Sequence, residues 1–141
     1  MPLRVYIITP EKALPVDEAE HVTLPGSEGE LGIRSGHAPI TTLLVQGRVD
    51  IKHGTKADTH YAINGGVAQV LKDEVRILTP GLMEVEGIRE ADLVKRIQDL
   101  DSKDYDDPVE LSKAKAEAHW LSSQLKLAGK TVPHSAKLGL G

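Results

Sequence analysis

Apolar residues recur at two different periods along this chain, and the change of period divides it. Between Leu3 and Leu78 the apolar runs are short and alternate. Val49 and Ile51, Tyr61 and Ile63, and Val75 and Ile77 are each separated by one residue, the repeat of a strand with one buried face. The segments Leu3–Ile8, Glu20–Leu24, Gly47–Lys52, Thr59–Ile63, Gly66–Val70 and Glu74–Leu78 are predicted strands. Asn64-Gly65-Gly66 and Lys72-Asp73 supply turns between them. Short strands at this spacing predict a flattened β-sandwich or barrel over residues 1–87. Lysines and glutamates at its outward positions blunt the sheet edges.

From residue 88 the period lengthens to that of a helix. Asp107-Pro108-Val109-Glu110 carries an N-cap Asp, Pro at the first helical position and Glu at the third. Leu111, Ala114, Ala118, Leu121, Leu125 and Ala128 then repeat at spacings of three and four until Gly129 and Lys130 stop the helix. A partner helix is predicted over 89–100, where Ala91, Val94, Ile97 and Leu100 recur every third residue beside Leu93. The acidic link from Asp99 to Asp107 makes the pair an antiparallel αα-hairpin over 88–130. Residues 131–141 are polar, end in glycine and read as a flexible tail. A second apolar line, Val109, Ala116, Trp120 and Leu127, lies beside the first, and two helices cannot bury both. It rests either on the β-domain or on another protein.

Composition narrows the class of function. The chain has 141 residues, a formal charge of −4 and a sequence pI near 5.8. That balance argues against general nucleic-acid binding, and with no Phe, one Trp and three Tyr it lacks stacking residues for a single strand. There is no cysteine, hence no disulfide and no thiolate metal site. No run approaches the ~18 apolar residues of a membrane span, and Met1 to Val5 holds no signal-like apolar core. Any membrane attachment then runs through a partner.

The densest feature is Leu24-Pro-Gly-Ser-Glu-Gly-Glu-Leu-Gly-Ile-Arg-Ser-Gly-His-Ala-Pro39, with glycines at 26, 29, 32 and 36. Glycines so spaced predict several tight turns at a loop-rich end of the β-structure, presenting Glu28, Glu30, Arg34 and His37. The pattern matches neither G-x-G-x-x-G nor a P-loop. Six histidines show no H-x-H or H-E-x-x-H spacing that would mark a metal site. Asp99 to Glu110 superficially resembles a calcium loop, but Lys103 takes a ligand position and Asp104 replaces the required glycine. No serine sits in a nucleophile elbow. Glu28 and Glu30 could form an acid/base pair, with His37 beside them, although alternate loop residues usually diverge. No cofactor is implied.

The ordered blocks Ile8-Thr-Pro-Glu11, Val22-Thr-Leu-Pro-Gly26, Gly29-Glu-Leu-Gly-Ile33, Gly36-His-Ala-Pro39, Gly47, Asn64-Gly-Gly-Val67 and Val75-Arg-Ile-Leu78 resemble the epsilon subunit of bacterial F-type ATP synthases. The resemblance covers about residues 3–88 by motif and 89–130 by arrangement alone. It implies a β-sandwich and a helical hairpin on the rotor's central stalk, bound to the gamma subunit and to the c-subunit ring. On that reading the chain is not an enzyme, and it sits peripherally at the cytoplasmic face of the bacterial inner membrane. The c-ring interface implied by it comprises Glu30 and His37, extended here to Ser27, Glu28 and Arg34. Lys113, Lys115, Lys126 and Lys130 are implied contacts of the hairpin with the catalytic beta subunit when ATP hydrolysis is restrained. Some members bind ATP through Ile/Leu-Asp-x-x-Arg-Ala, whereas Ile88-Arg-Glu-Ala-Asp-Leu93 here exchanges both charges, so no ATP binding is expected. Two other classes stay open. One is an enzyme with a site around Glu28, Glu30 and His37; the other is a small β-sandwich adaptor outside the synthase.

Overall fold

The computed structural model describes residues 3–140, with the backbone alone at Val16 and Asp17. In chain order come β1 (Leu3–Ile8), β2 (Ala13–Ala19), β3 (His21–Gly26), β4 (Gly29–Arg34), β5 (Ile40–Lys52), β6 (Thr59–Val70), β7 (Glu74–Leu78) and β8 (Leu82–Glu84). A 3-10 turn, Val85–Gly87, precedes the helices α1 (Glu90–Ser102) and α2 (Pro108–Leu127). The chain separates into two units, Met1–Glu84 and Val85–Gly141. The division falls before the 3-10 turn rather than after Gly87.

In the first unit the strands form one sheet in the order β2-β1-β7-β6-β5-β3-β4, with β8 paired to β6. The two long central strands organise it. β5 and β6 pair without a slip from Ile40↔Val70 to Ile51↔Thr59. Yet the parity of the buried positions changes along both of them. Near one end the inward residues are Leu44, Ala68 and Val70; near the other they are Val49, Ile51, Tyr61 and Ile63. Side chains alternate faces along a strand, so one core served by both halves requires a one-residue step in alternation. That step lies at Val45-Gln46 on β5 and at Asn64-Gly65-Gly66 on β6, where Gly65 and Gly66 have φ of 73° and 128°. The sheet thereby folds over into a sandwich whose inward faces share one apolar cluster drawn from β1 to β7.

Several local expectations change. Asn64-Gly65-Gly66 is not a turn between two strands; it is the kink inside one strand of 12 residues. The glycine-rich block is mostly strand: β4 pairs with β3 from His21↔Arg34 to Gly26↔Gly29, leaving Ser27-Glu28 as a two-residue hairpin turn. β2, β8 and the first half of β5 also lie outside the alternation read from sequence. The Lys72-Asp73 turn is present, closed by Leu71 N–H donating to the Glu74 carbonyl at 2.8 Å.

The second unit begins with the hairpin. Asp107 caps α2, its carboxylate accepting from the Val109 N–H at 2.9 Å, and Pro108 opens the helix. At the other end Gly129, with φ 74°, donates to the Lys126 carbonyl and Lys130 donates to that of Leu125, a Schellman turn that reverses the chain. Ile97 and Leu100 of α1 bury against Ala114, Ala118, Leu121 and Leu125 of α2. The second apolar line of α2 is not a buried face: Val109 and Ala116 are exposed, and Trp120 and Leu127 half-buried.

The tail is the main departure. Residues 131–140, read as a mobile polar segment, fold back onto the hairpin, and Leu138 and Leu140 are buried in the same cluster as the two helices. Burial of a leucine side chain is worth roughly 1.5–3 kcal/mol. That gain outweighs the segment's polar composition, because only these two positions need to be apolar.

Gly66 is where the sheet tolerates least change. A Cβ there would stand 1.9 Å from the Leu78 carbonyl oxygen, on top of the positive φ. Gly66→Ala is expected to destabilise the sheet unit by about 3 kcal/mol or more. Urea unfolding followed on amide signals of β5 to β7 checks this, and a loss below about 0.5 kcal/mol would contradict the close approach.

Candidate binding surface

The outer face of the sheet carries an apolar row that follows from register. Leu43 pairs with Val67, Val67 with Leu78, and Leu78 with Ile8, across β5, β6, β7 and β1. Directly opposed residues share a face, and the inward neighbours Leu44, Ala68, Ile77 and Ile7 are buried. The row therefore faces outward: Leu43 is 63 % exposed and Leu78 47 %, with Val45 beside them at 46 %. A shallow apolar cavity of about 420 Å³ continues the row over Ile8, Thr9, Pro10, Leu78, Thr79 and Pro80. Thr9 anchors its rim, its hydroxyl accepting from the Glu11 and Lys12 N–H groups.

The acidic hairpin tip adjoins this row. Ser27 N–H donates to the Leu43 carbonyl at 2.9 Å, so Glu28 stands over the end of β5. Glu30, opposite Pro25, is two residues further along β4, and both carboxylates are exposed. Apolar contact area and negative charge are thus side by side. Contiguous exposed apolar surface rimmed by polar groups marks an interaction site.

Arg34 and His37 lie elsewhere. Arg34 ends β4 opposite His21, about five residues or roughly 17 Å of extended chain from the tip. The turn that follows is pinned to the β6–β7 turn: Gly36 N–H donates to the Lys72 carbonyl and the Ser35 hydroxyl to Asp73, each at 2.7 Å. His37 Nδ1 donates to the neighbouring Ala38 carbonyl at 2.7 Å. The cleft there is lined by His21, Gly32, Arg34, Ser35, Gly36 and His37 and contains no carboxylate. Glu28 and Glu30 therefore lie at one end of β4 and His37 beyond the other, so these three residues form no shared cleft.

The lysines of α2 also part company. At about 100° per residue, Lys115 and Lys126 fall on one side of the helix and Lys113 far round from them. Lys113 lines a cleft with Glu110 and Glu117 near the inter-helix link. Lys126 and Lys130 line another with His119, Ser122 and His134. Between the helices, Arg96 grips Glu117 with two bonds, Nε to Oε2 at 2.6 Å and Nη2 to Oε1 at 2.9 Å. These hydrogen bonds, with the guanidinium charge behind them, hold the Glu117 carboxyl below its ordinary range against a partial desolvation that opposes them. The same bonds raise Arg96. At the start of α1, Arg89 occupies the N-cap position and contributes no side-chain cap, while Glu90 and Asp92 sit in the first turn.

The residues that pattern reading overlooked are Leu43, Val45, Leu78 and Ile8. The signal was present: Leu43-Leu44-Val45 is an unbroken apolar run, and a strand can turn only every second residue inward.

The architecture is a β-sandwich followed by a separately folded helical hairpin. Residues 2–85 match the family described as ATP synthase, Delta/Epsilon chain, beta-sandwich domain. The chain belongs to that family of ATP synthase subunits. Among its relatives, the ATP synthase epsilon chain of Mesorhizobium japonicum is 30% identical over 127 residues, 90% of this chain and 93% of that one. The epsilon chain of Gloeothece citriformis is 48% identical over 81 residues, 57% of this chain and 58% of that one. In fold, the chain is similar to one in the mitochondrial ATP synthase OSCP/F1/c-ring structure of Euglena gracilis, with a TM-score of 0.69, 20% identity, and coverage of 86% of this chain and 78% of that one. A chain of the Tetrahymena thermophila mitochondrial central stalk and c-ring gives 0.62 at 18% identity, covering 91% and 97%. No described helix is long and apolar enough to cross a membrane.

The Arg96–Glu117 pair gives the hairpin a defined acid sensitivity. A carboxylate whose pKa is lowered by folding contributes stability above its unfolded value and loses it as pH falls through the lowered one. Both groups are about two-fifths exposed, so the contribution is below about 1 kcal/mol. Glu117→Gln is expected to lower hairpin stability by that amount at pH 7. The gap to the native chain should close as pH drops below the ordinary Glu value of about 4.3. Helix amide exchange at several pH values checks it; a gap independent of pH would contradict the pairing.

Proposed function

We propose that this chain is the non-catalytic rotor subunit of a bacterial F-type ATP synthase. Its sheet unit joins gamma to the c-subunit ring, and its helical hairpin restrains ATP hydrolysis at the catalytic beta subunit. The outward-facing row of Ile8, Leu78, Val67 and Leu43, with Leu43 and Leu78 exposed and the other two half-buried, carries the proposal. It offers apolar area at the end of the sheet where the Glu28 tip stands, the composition of an interface core beside a charged rim. An apolar row suits a helical stalk partner, whereas Glu28 and Glu30 suit the polar loops of a ring. Arg34 and His37, at the far end of β4, belong to a separate part of that contact or serve their own turn. Family membership along residues 2–85 supports the assembly, and the fold likeness to chains in synthase structures agrees with it.

The hairpin's role rests on its basic residues. Its basic residues are divided between two sides of α2, so a contact with an acidic segment of the catalytic subunit would engage Lys115 and Lys126 together. Lys130 beyond the helix end lines the same cleft as Lys126, whereas Lys113 faces another side of α2 beside Glu110 and Glu117. Nucleotide is not part of this reading, since Glu90 and Asp92 put negative charge on the first turn of α1. The chain would meet the cytoplasmic face of the membrane only through the complex.

Leu43→Asp combined with Leu78→Asp tests the row. Both side chains are exposed, so the subunit should stay folded. Binding to gamma, titrated with the labelled full chain, should weaken by at least tenfold, as for the centre of an interface. Glu30→Ala with His37→Ala should leave that affinity within about twofold and loosen attachment of the assembled head to the membrane sector. Unchanged gamma binding in the first variant would remove the row from the interface.

A further inference from the structure

We propose that residues 131–140 are a releasable latch that holds the helical hairpin shut. After the Schellman turn at Gly129 the chain runs back along the hairpin. It passes from Lys130, whose Nζ is 4.0 Å from Glu90 at the start of α1, to the far end of that helix. There the Ser135 hydroxyl donates to the Asp101 carboxylate, and Lys137 Nζ donates to the carbonyls of Asp101 and Lys103, both at 2.7 Å. The last carbonyls of a helix have no partner within it, and a lysine there also meets the negative end of the helix dipole. One side chain near the chain's end thus caps α1 across a separation of 34 to 36 residues.

The form of the strap is what makes it a latch. Its backbone bonds are made to itself. Ser135 and Leu140 exchange two N–H to carbonyl bonds at 2.8 Å, Gly139 N–H donates to the Ala136 carbonyl, and Leu138 N–H donates to the Ser135 hydroxyl. The resulting compact loop presents Leu138 and Leu140 as paired plugs against Ile97, Leu100, Ala118 and Leu125. No ladder of backbone bonds ties this strap to either helix, so its loop can leave intact, taking its two plugs and two side-chain contacts with it. The helices also meet each other directly, Ile97 and Leu100 against Leu121 and Leu125. The α2 side of their seam includes Ala114 and Ala118, and the Arg96–Glu117 pair that crosses it is exposed. The third wall of the hairpin core is the strap, and α1 separates from α2 only after the strap has been lifted.

The chain has no cysteine, so Asp101→Cys with Ser135→Cys places one disulfide between strap and helix in the full chain. Hydrogen exchange of α1 amides, compared before and after reduction, reads the latch. The oxidised chain should exchange at least tenfold more slowly over Leu93 to Leu100, with β5 and β6 unchanged. Equal rates in the two states would overturn the proposal. A chain ended after Lys130 gives the second reading. Faster α1 exchange by at least tenfold with helical circular dichroism retained supports a latch. Loss of the helices themselves would overturn it, because the strap would then be a fixed part of the core.

Discussion

The structure of the first unit depends on the shared step in side-chain alternation at Val45-Gln46 and Asn64-Gly65-Gly66. Without it, the two ends of β5 and β6 would turn opposite faces to the interior, and a single sheet of this length could not enclose one core. With it, Leu44 and Val70 point to the same interior as Ile51 and Tyr61 while the β5–β6 pairing continues without a slip. The step is possible because Gly65 and Gly66 accept left-handed backbone, and because Gly66 leaves room for the Leu78 carbonyl.

The outside of the sheet follows from simple alternation. The run Leu43-Leu44-Val45 takes only Leu44 inward and leaves two of its three members exposed. Val67, Leu78 and Ile8 join the outward row through cross-strand register. Fold and outer row are linked in one direction. A substitution at the kink would disturb both, whereas a substitution within the row would disturb only the second.

Much of this was legible in the sequence, and the failures have physical reasons. The alternating segments Leu3–Ile8 and Glu74–Leu78 coincide with strands because each has one buried and one wet face. β4 hid in the glycine block since Gly29 and Gly32 weaken the strand signal while cross-strand pairing with β3 supplies what propensity lacks. Asn64-Gly65-Gly66 imitates a hairpin turn, and only long-range pairing distinguishes a kink from a turn. Glu28 and Glu30 were found by motif and do lie at an exposed tip, but Arg34 and His37 follow them in sequence, not in space. The strap was missed because two buried leucines in a polar segment of 11 residues make no periodic pattern.

The units differ in how they hold together. The sheet carries its own core from β1 to β7, while the hairpin's core includes Leu138 and Leu140 from the strap. In the function proposed above, the sheet alone is the coupling body and the hairpin unit a separate restraint. The decisive measurement is ATP hydrolysis and synthesis by a synthase assembled with the chain ended after Gly87. An assembled, coupled complex whose hydrolysis rises several-fold while synthesis changes little is expected. Failure to assemble, or an unchanged hydrolysis rate in a coupled complex, would contradict it.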